Sequence, residues 1–101
     1  MENKYVYVFQ LDNETVKIGI SNNIQRRTRA VSGHSGLDIL QWACTEKLSA
    51  TDARQIESDC HKHFANRRTR GEFFNITFDE ACVYLQTKVN LPLIFGRTER
   101  K

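Results

Sequence analysis

A tyrosine, a lysine, an arginine and a glutamate in this sequence have the types and spacing to act together on a phosphate. Tyr5 and Tyr7 alternate with Val6 and Val8 in KYVYVFQL, so the two phenols share one face of an extended segment. Lys17, in TVKIGIS, shares its face with Gly19, whose missing side chain lets a ligand or a second backbone come close. SNNIQRR follows at once and ends on Arg26 and Arg27, which places guanidinium groups early in a helix. Glu57 stands one residue after Ile56 and three before Cys60, on or beside the apolar stripe of a second helix. A carboxylate there is costly to desolvate unless a cation or strong donors compensate. A bound metal would compensate it, and so would an arginine at the stripe's edge. His61 lies one turn on, and a Glu-x-x-x-His pair either holds a metal or ends in an ordinary surface histidine.

Each of these residues belongs to a different element. Residues 4–11 alternate as a strand, DNE turns the chain, and TVKIGIS returns as its antiparallel partner. Ser21 or Asn22 caps a helix over about residues 23–31, which SGHSG ends with two glycines. LDILQWACTEK reads as a third strand with a bulge. Ser49 or Thr51 opens a long helix with Ala53, Ile56, Cys60 and Phe64 on its apolar stripe. EFFNI is a short extended piece, and Thr77 with Glu80 forms a capping box for a last helix. NLPLIFGRTERK closes the chain as a proline-containing, basic tail. The expected fold is α+β: a three-stranded antiparallel sheet flanked by helices in ββαβα order, plus a C-terminal helix. It forms one domain over residues 1–101, with its core at about 4–76 and the helix and tail at 77–101.

A chain of 101 residues has room for one core. No apolar run reaches the roughly 20 residues of a membrane span, and the first residues are too polar for a signal peptide. Cys44, Cys60 and Cys82 are scattered, as reduced thiols of a cytoplasmic protein would be, and their spacing with His61 and His63 fits no zinc pattern. The net charge of +3 is concentrated at residues 26–29, at 67–70 and in the tail. Such clusters suit a polyanion such as DNA, although solvated surface charge would look the same. The candidate contacts are Arg26, Arg29, Arg67, Arg68 and Arg70.

Taken in order, YVY, KIG, Arg27, Glu57 in ARQIE and the later RTRGEFF resemble the GIY-YIG nuclease superfamily, in a compact phage and bacterial branch. The resemblance covers residues 5 to about 76. Two positions depart from it: Tyr5 replaces a glycine of the first motif, and Lys17 replaces the usual tyrosine of the second. The resemblance implies divalent-metal-dependent hydrolysis of DNA, one strand nicked per site. Glu57 would hold Mg²⁺ or Mn²⁺, and Tyr7 would orient or deprotonate the attacking water, with Tyr5 as its alternative. Lys17 would supply positive charge, and Arg27 would brace the non-bridging oxygens. His34, in the loop after the first helix, and Asn75 would be secondary substrate contacts, with His61 and Glu72 in the same tier. Cutting both strands would need a homodimer or a targeting partner protein. A non-catalytic nucleic-acid-binding or regulatory interaction module on the same fold is the alternative reading.

Overall fold

The structure, a computed structural model, describes residues 3–97. Its elements in order are β1 (Asn3–Leu11), β2 (Val16–Ser21), α1 (Ile24–Ser35), β3 (Ile39–Cys44), β4 (Leu48–Ser49) and α2 (Ala50–His63), then β5 (Arg68–Arg70), β6 (Phe73–Phe74), α3 (Phe78–Gln86) and β7 (Ile94–Arg97). The expectation of a three-stranded sheet is overturned. Among the described residues, one antiparallel seven-stranded sheet runs β5-β6-β2-β1-β3-β7, with β4 also pairing to β1, inside an α+β fold with three α-helices. The four added strands are two to four residues long, too short to carry a two-residue hydrophobic period. They exist because the edges of longer strands supply their hydrogen bonds. The proposed C-terminal tail is corrected in the same way, since Ile94–Arg97 pairs with β3. The rest of that basic tail, residues 98–101, lies outside the described residues.

β1 is buried on both faces, which explains its run of large side chains. Val6 and Val8 join Val16, Ile18, Ala53, Cys60, Phe64 and Leu85 under α2 and α3. Tyr7, Phe9 and Leu11 join Ile24, Val31 and Ile39 under α1. Each fully buried aliphatic or aromatic side chain stabilises the fold by roughly 1.5–3 kcal/mol, so this central strand is the best anchored place for a reactive group. The expected bulge is present where β1 meets β3, between Gln10 and Leu11.

The helix termini follow local chemistry. The Asn23 side chain accepts from the Arg26 N–H, so the cap of α1 sits one or two residues after Ser21 and Asn22. α1 runs through Gly33 and stops at Gly36, whose φ of 72° is the left-handed conformation that ends helices. His34 is therefore on the helix and not in a loop. Ser49 caps α2, and the Thr77–Glu80 capping box opens α3 as expected.

Two glycines test this packing. Gly96 of β7 lies opposite Trp42, and a Cβ there would drive into the indole ring. Gly33 faces open space. Gly96→Ala is expected to lower stability by about 1–3 kcal/mol through overpacking. Gly33→Ala is expected to raise it by about 0.5–1 kcal/mol through helix propensity. Thermal unfolding of the two variants checks both signs.

Candidate functional site

The site begins just before β6. β6 pairs only with Val16 and Lys17 of β2, which leaves the next residue's outward backbone groups without a strand partner. Two other residues meet them. The Ile18 N–H donates to the Glu72 carbonyl at 3.1 Å, and His61 Nε2–H donates to the Ile18 carbonyl at 2.9 Å. A carbonyl only accepts, so the proton of His61 is fixed on Nε2. Its Nδ1 then accepts from the Arg68 guanidinium at 2.9 Å. Both nitrogens of a neutral imidazole are thereby engaged.

Across the ladder, Tyr7 stands opposite Gly19. A Cβ on Gly19 would lie 2.5 Å from the Tyr7 hydroxyl and 2.8 Å from Glu72 Oε1. The phenol and the carboxylate thus occupy the space that any other residue would fill. Lys17 Nζ forms an ion pair with Glu72 and lies 5.5 Å from the centre of the Tyr7 ring. Burial raises the Tyr7 pKa above the ordinary phenol value, against the pull of the Lys17 and Arg27 charges. Burial acts to lower the Lys17 pKa, but the nearby Tyr7 and Glu72 outweigh it and hold the ammonium above its usual range. Tyr5 sits opposite Ser21 on the same face, so Tyr7 is the tyrosine brought to this cluster.

Glu57 reaches the cluster from α2, half-buried at the stripe's edge. Glu57, His61 and Glu72 offer ligand atoms within 4.8 Å of one another. Burial, followed by the Glu72 charge, pushes the Glu57 carboxyl up to about 7, while Lys17 and Arg54 pull it down. Among the described residues the two carboxylates have one ammonium group in direct contact, Lys17 on Glu72, and the more distant Arg54 does not offset the burial of Glu57. A hard divalent cation fits these oxygen donors. His61, with both nitrogens engaged, is placed to position the cluster. The thiols offer nothing comparable, since burial pushes Cys44 up to about 11 and Cys60 and Cys82 up to about 12.

The basic residues divide between surfaces. Arg27, His34 and Arg70 line a cleft of about 320 Å³ with Lys17 and Phe73. A bulge in β5 aims Arg70 there: Arg68 pairs with Phe74 and Arg70 with Phe73, so one extra residue reverses the alternation. Arg68 consequently faces α2 and His61. Arg67 is not brought to the cleft, because it pairs with Glu80 at 2.8 Å and packs over Phe64. Asn75 is exposed and donates its backbone N–H to the Arg67 carbonyl. Arg26 donates to Asn22 Oδ1, and Arg29 is exposed on the same helix. His61 carried a usable signal, its spacing of four from Glu57. Glu72 carried almost none, because its place depends on the register of Phe73 against Lys17.

A family model, the T5orf172 domain, matches residues 4–86. No curated protein and no solved structure matches the chain. The matched stretch holds every residue of the cluster, from Tyr7 on β1 to Glu72 beside β6. This chain belongs to the T5orf172 domain family.

Proposed function

We propose that the chain is a divalent-metal-dependent endonuclease that hydrolyses DNA phosphodiester bonds, in the manner of the GIY-YIG nucleases it resembles. The observation that carries this reading is the meeting of Tyr7, Lys17, Glu57 and Glu72 around Gly19, beside a basic cleft. Family membership supports the coarser part, a nuclease or DNA-related role. Among the described residues no helix is long and apolar enough to cross a membrane.

The side chains divide the work by charge. Glu57 and Glu72 would hold Mg²⁺ or Mn²⁺. When bound, such an ion polarises a phosphoryl oxygen and stabilises the departing oxyanion. Arg27, exposed at the cleft, braces the non-bridging oxygens as negative charge builds, a task suited to a planar fork of donors. Tyr7 is protonated at neutral pH and so orients the attacking water through its hydroxyl, while the neighbouring ammonium lowers the cost of passing that proton on. Lys17 remains charged between Tyr7 and Glu72, so it acts as a cation and not as a base. On this reading a lysine can stand where the GIY-YIG motif it resembles usually has tyrosine. One site cuts one strand, and a double-strand break needs a second copy, a second encounter or a targeting partner.

Purified protein is expected to nick supercoiled plasmid with Mg²⁺ or Mn²⁺ and not with EDTA. Arg27→Ala and Glu57→Ala should each lower the rate by about 10²-fold or more. A folded protein that cuts no form of DNA with either metal would leave a non-catalytic binding module as the better account.

A second expectation concerns pH. The Glu57 carboxyl has a pKa of about 7 in the folded, metal-free chain, against an ordinary value of 4.5. The folded state therefore binds this proton more tightly than the unfolded state does. The stability it contributes is full below 4.5 and is lost as pH rises through about 7. Between about pH 5 and pH 8 the melting temperature of the metal-free protein should fall relative to that of Glu57→Gln. Parallel melting profiles for the two proteins would contradict the assignment.

A further inference from the structure

The cleft beside the cluster continues. A second cavity of about 290 Å³, lined by Asn13, Thr15, Leu37 and Thr69, shares Ser35, Arg70 and Phe73 with the first. Together they make a groove between α1 and the β5–β6 edge, leading away from Glu57. Among the described residues its charged lining is entirely cationic: Lys17, Arg27 and Arg70. The cavities at the α2–α3 side differ, since Asp79 and Glu80 line one and Glu46 and Asp52 the other. His34 adds a free Nε2, because its Nδ1–H donates to the Ala30 carbonyl at 2.9 Å.

Beneath the cations the groove is floored by the edge of the core, buried Val31 with partly buried Leu37 and Phe73 packed against it, and the part of that apolar surface left open gives a phosphate nothing to bind. Each cavity is near the lower limit of about 300 Å³ for small-ligand sites, a size for one nucleotide. A duplex, with its bases stacked inside, would ride over the rim and touch the arginines without reaching that floor. An unpaired strand can turn its bases inward against Phe73 while its phosphates follow Arg27 and Arg70, the arrangement of aromatic surface and basic groove that suits single strands.

We infer that this groove binds unpaired DNA next to the bond to be cut, which makes branched or single-stranded-armed DNA the preferred substrate class. The inference rests on the nuclease reading for its purpose but not for its test. Binding is measured in EDTA by fluorescence anisotropy, using the full chain, a short oligothymidylate, a blunt duplex of equal length and the same duplex with a single-stranded arm. The oligothymidylate and the armed duplex should bind at least ~10-fold more tightly than the blunt duplex. Phe73→Leu, which keeps apolar bulk and removes the ring, should erase most of that difference by weakening the single-stranded and armed probes. Arg70→Gln, at an exposed position where folding is not at risk, should weaken both but the single-stranded probe more. Equal affinity for single-stranded and blunt DNA would overturn the inference, and so would an unchanged preference in both variants. Because no cleavage occurs in EDTA, loss of the nuclease reading and loss of this one would be told apart.

Discussion

The open edge of β2 is the constraint on which this site depends. A buried backbone N–H or carbonyl without a partner is destabilising, and strand pairing normally prevents that. Here the partner strand stops after two residues, and Glu72 and His61 take its place on the two backbone groups of Ile18. The same bonds that complete the sheet thus fix the segment carrying one carboxylate and orient an imidazole beside the other. The glycine next in sequence then opens space on the opposite face, where the Tyr7 hydroxyl and Glu72 meet. Satisfying the backbone and assembling the cluster are one event.

The electrostatics follow from that placement. Lys17 is largely buried, with a side chain 13% exposed, and its charge is compensated by Glu72. Burial and then the neighbouring Glu72 charge, only partly offset by Lys17 and Arg54, let the Glu57 carboxyl hold its proton until about neutral pH. A ligand-free site of this kind carries unfavourable charge proximity, and a cation that relieves it gains affinity in return. His61 contributes by geometry, with a fixed tautomer between Ile18 and Arg68. Removing Arg68 would free Nδ1 and loosen the ring at the centre of the cluster.

Much of this was legible in the sequence, and the part that was not has a common cause. Helix caps are local, so Ser49 and the Thr77–Glu80 box could be read directly. Tyr5 could be put on a face with Tyr7, and Lys17 with Gly19, because two long strands alternate cleanly; the register that brings the two faces together came from the structure. Glu57 at the stripe's edge followed from helical spacing, although its carboxylate partner did not. Features created by pairing left little trace: EFFNI read as extended, and the resemblance put Glu72 in a second tier, but β4, β5 and β7, the contact of Glu72 with Glu57 and the division of the RRTR run at 67–70 could not be read. That run reads as one basic patch, yet Arg67 pairs with Glu80, Arg68 reaches His61 and Arg70 enters the cleft. A single extra residue in β5 causes part of that separation. SGHSG misled for a different reason, since Gly33 is tolerated inside α1 and the stop comes only at Gly36.

We propose that Glu57 and Glu72 form one divalent-cation site beside Tyr7 and Lys17. Anomalous diffraction from crystals soaked in Mn²⁺ tests it directly. A single strong peak is expected at roughly 2.1 Å from a carboxylate oxygen of each glutamate, absent in Glu57→Gln crystals. Saturating Mn²⁺ with no peak at these residues, or a peak that persists without the Glu57 carboxylate, would contradict it.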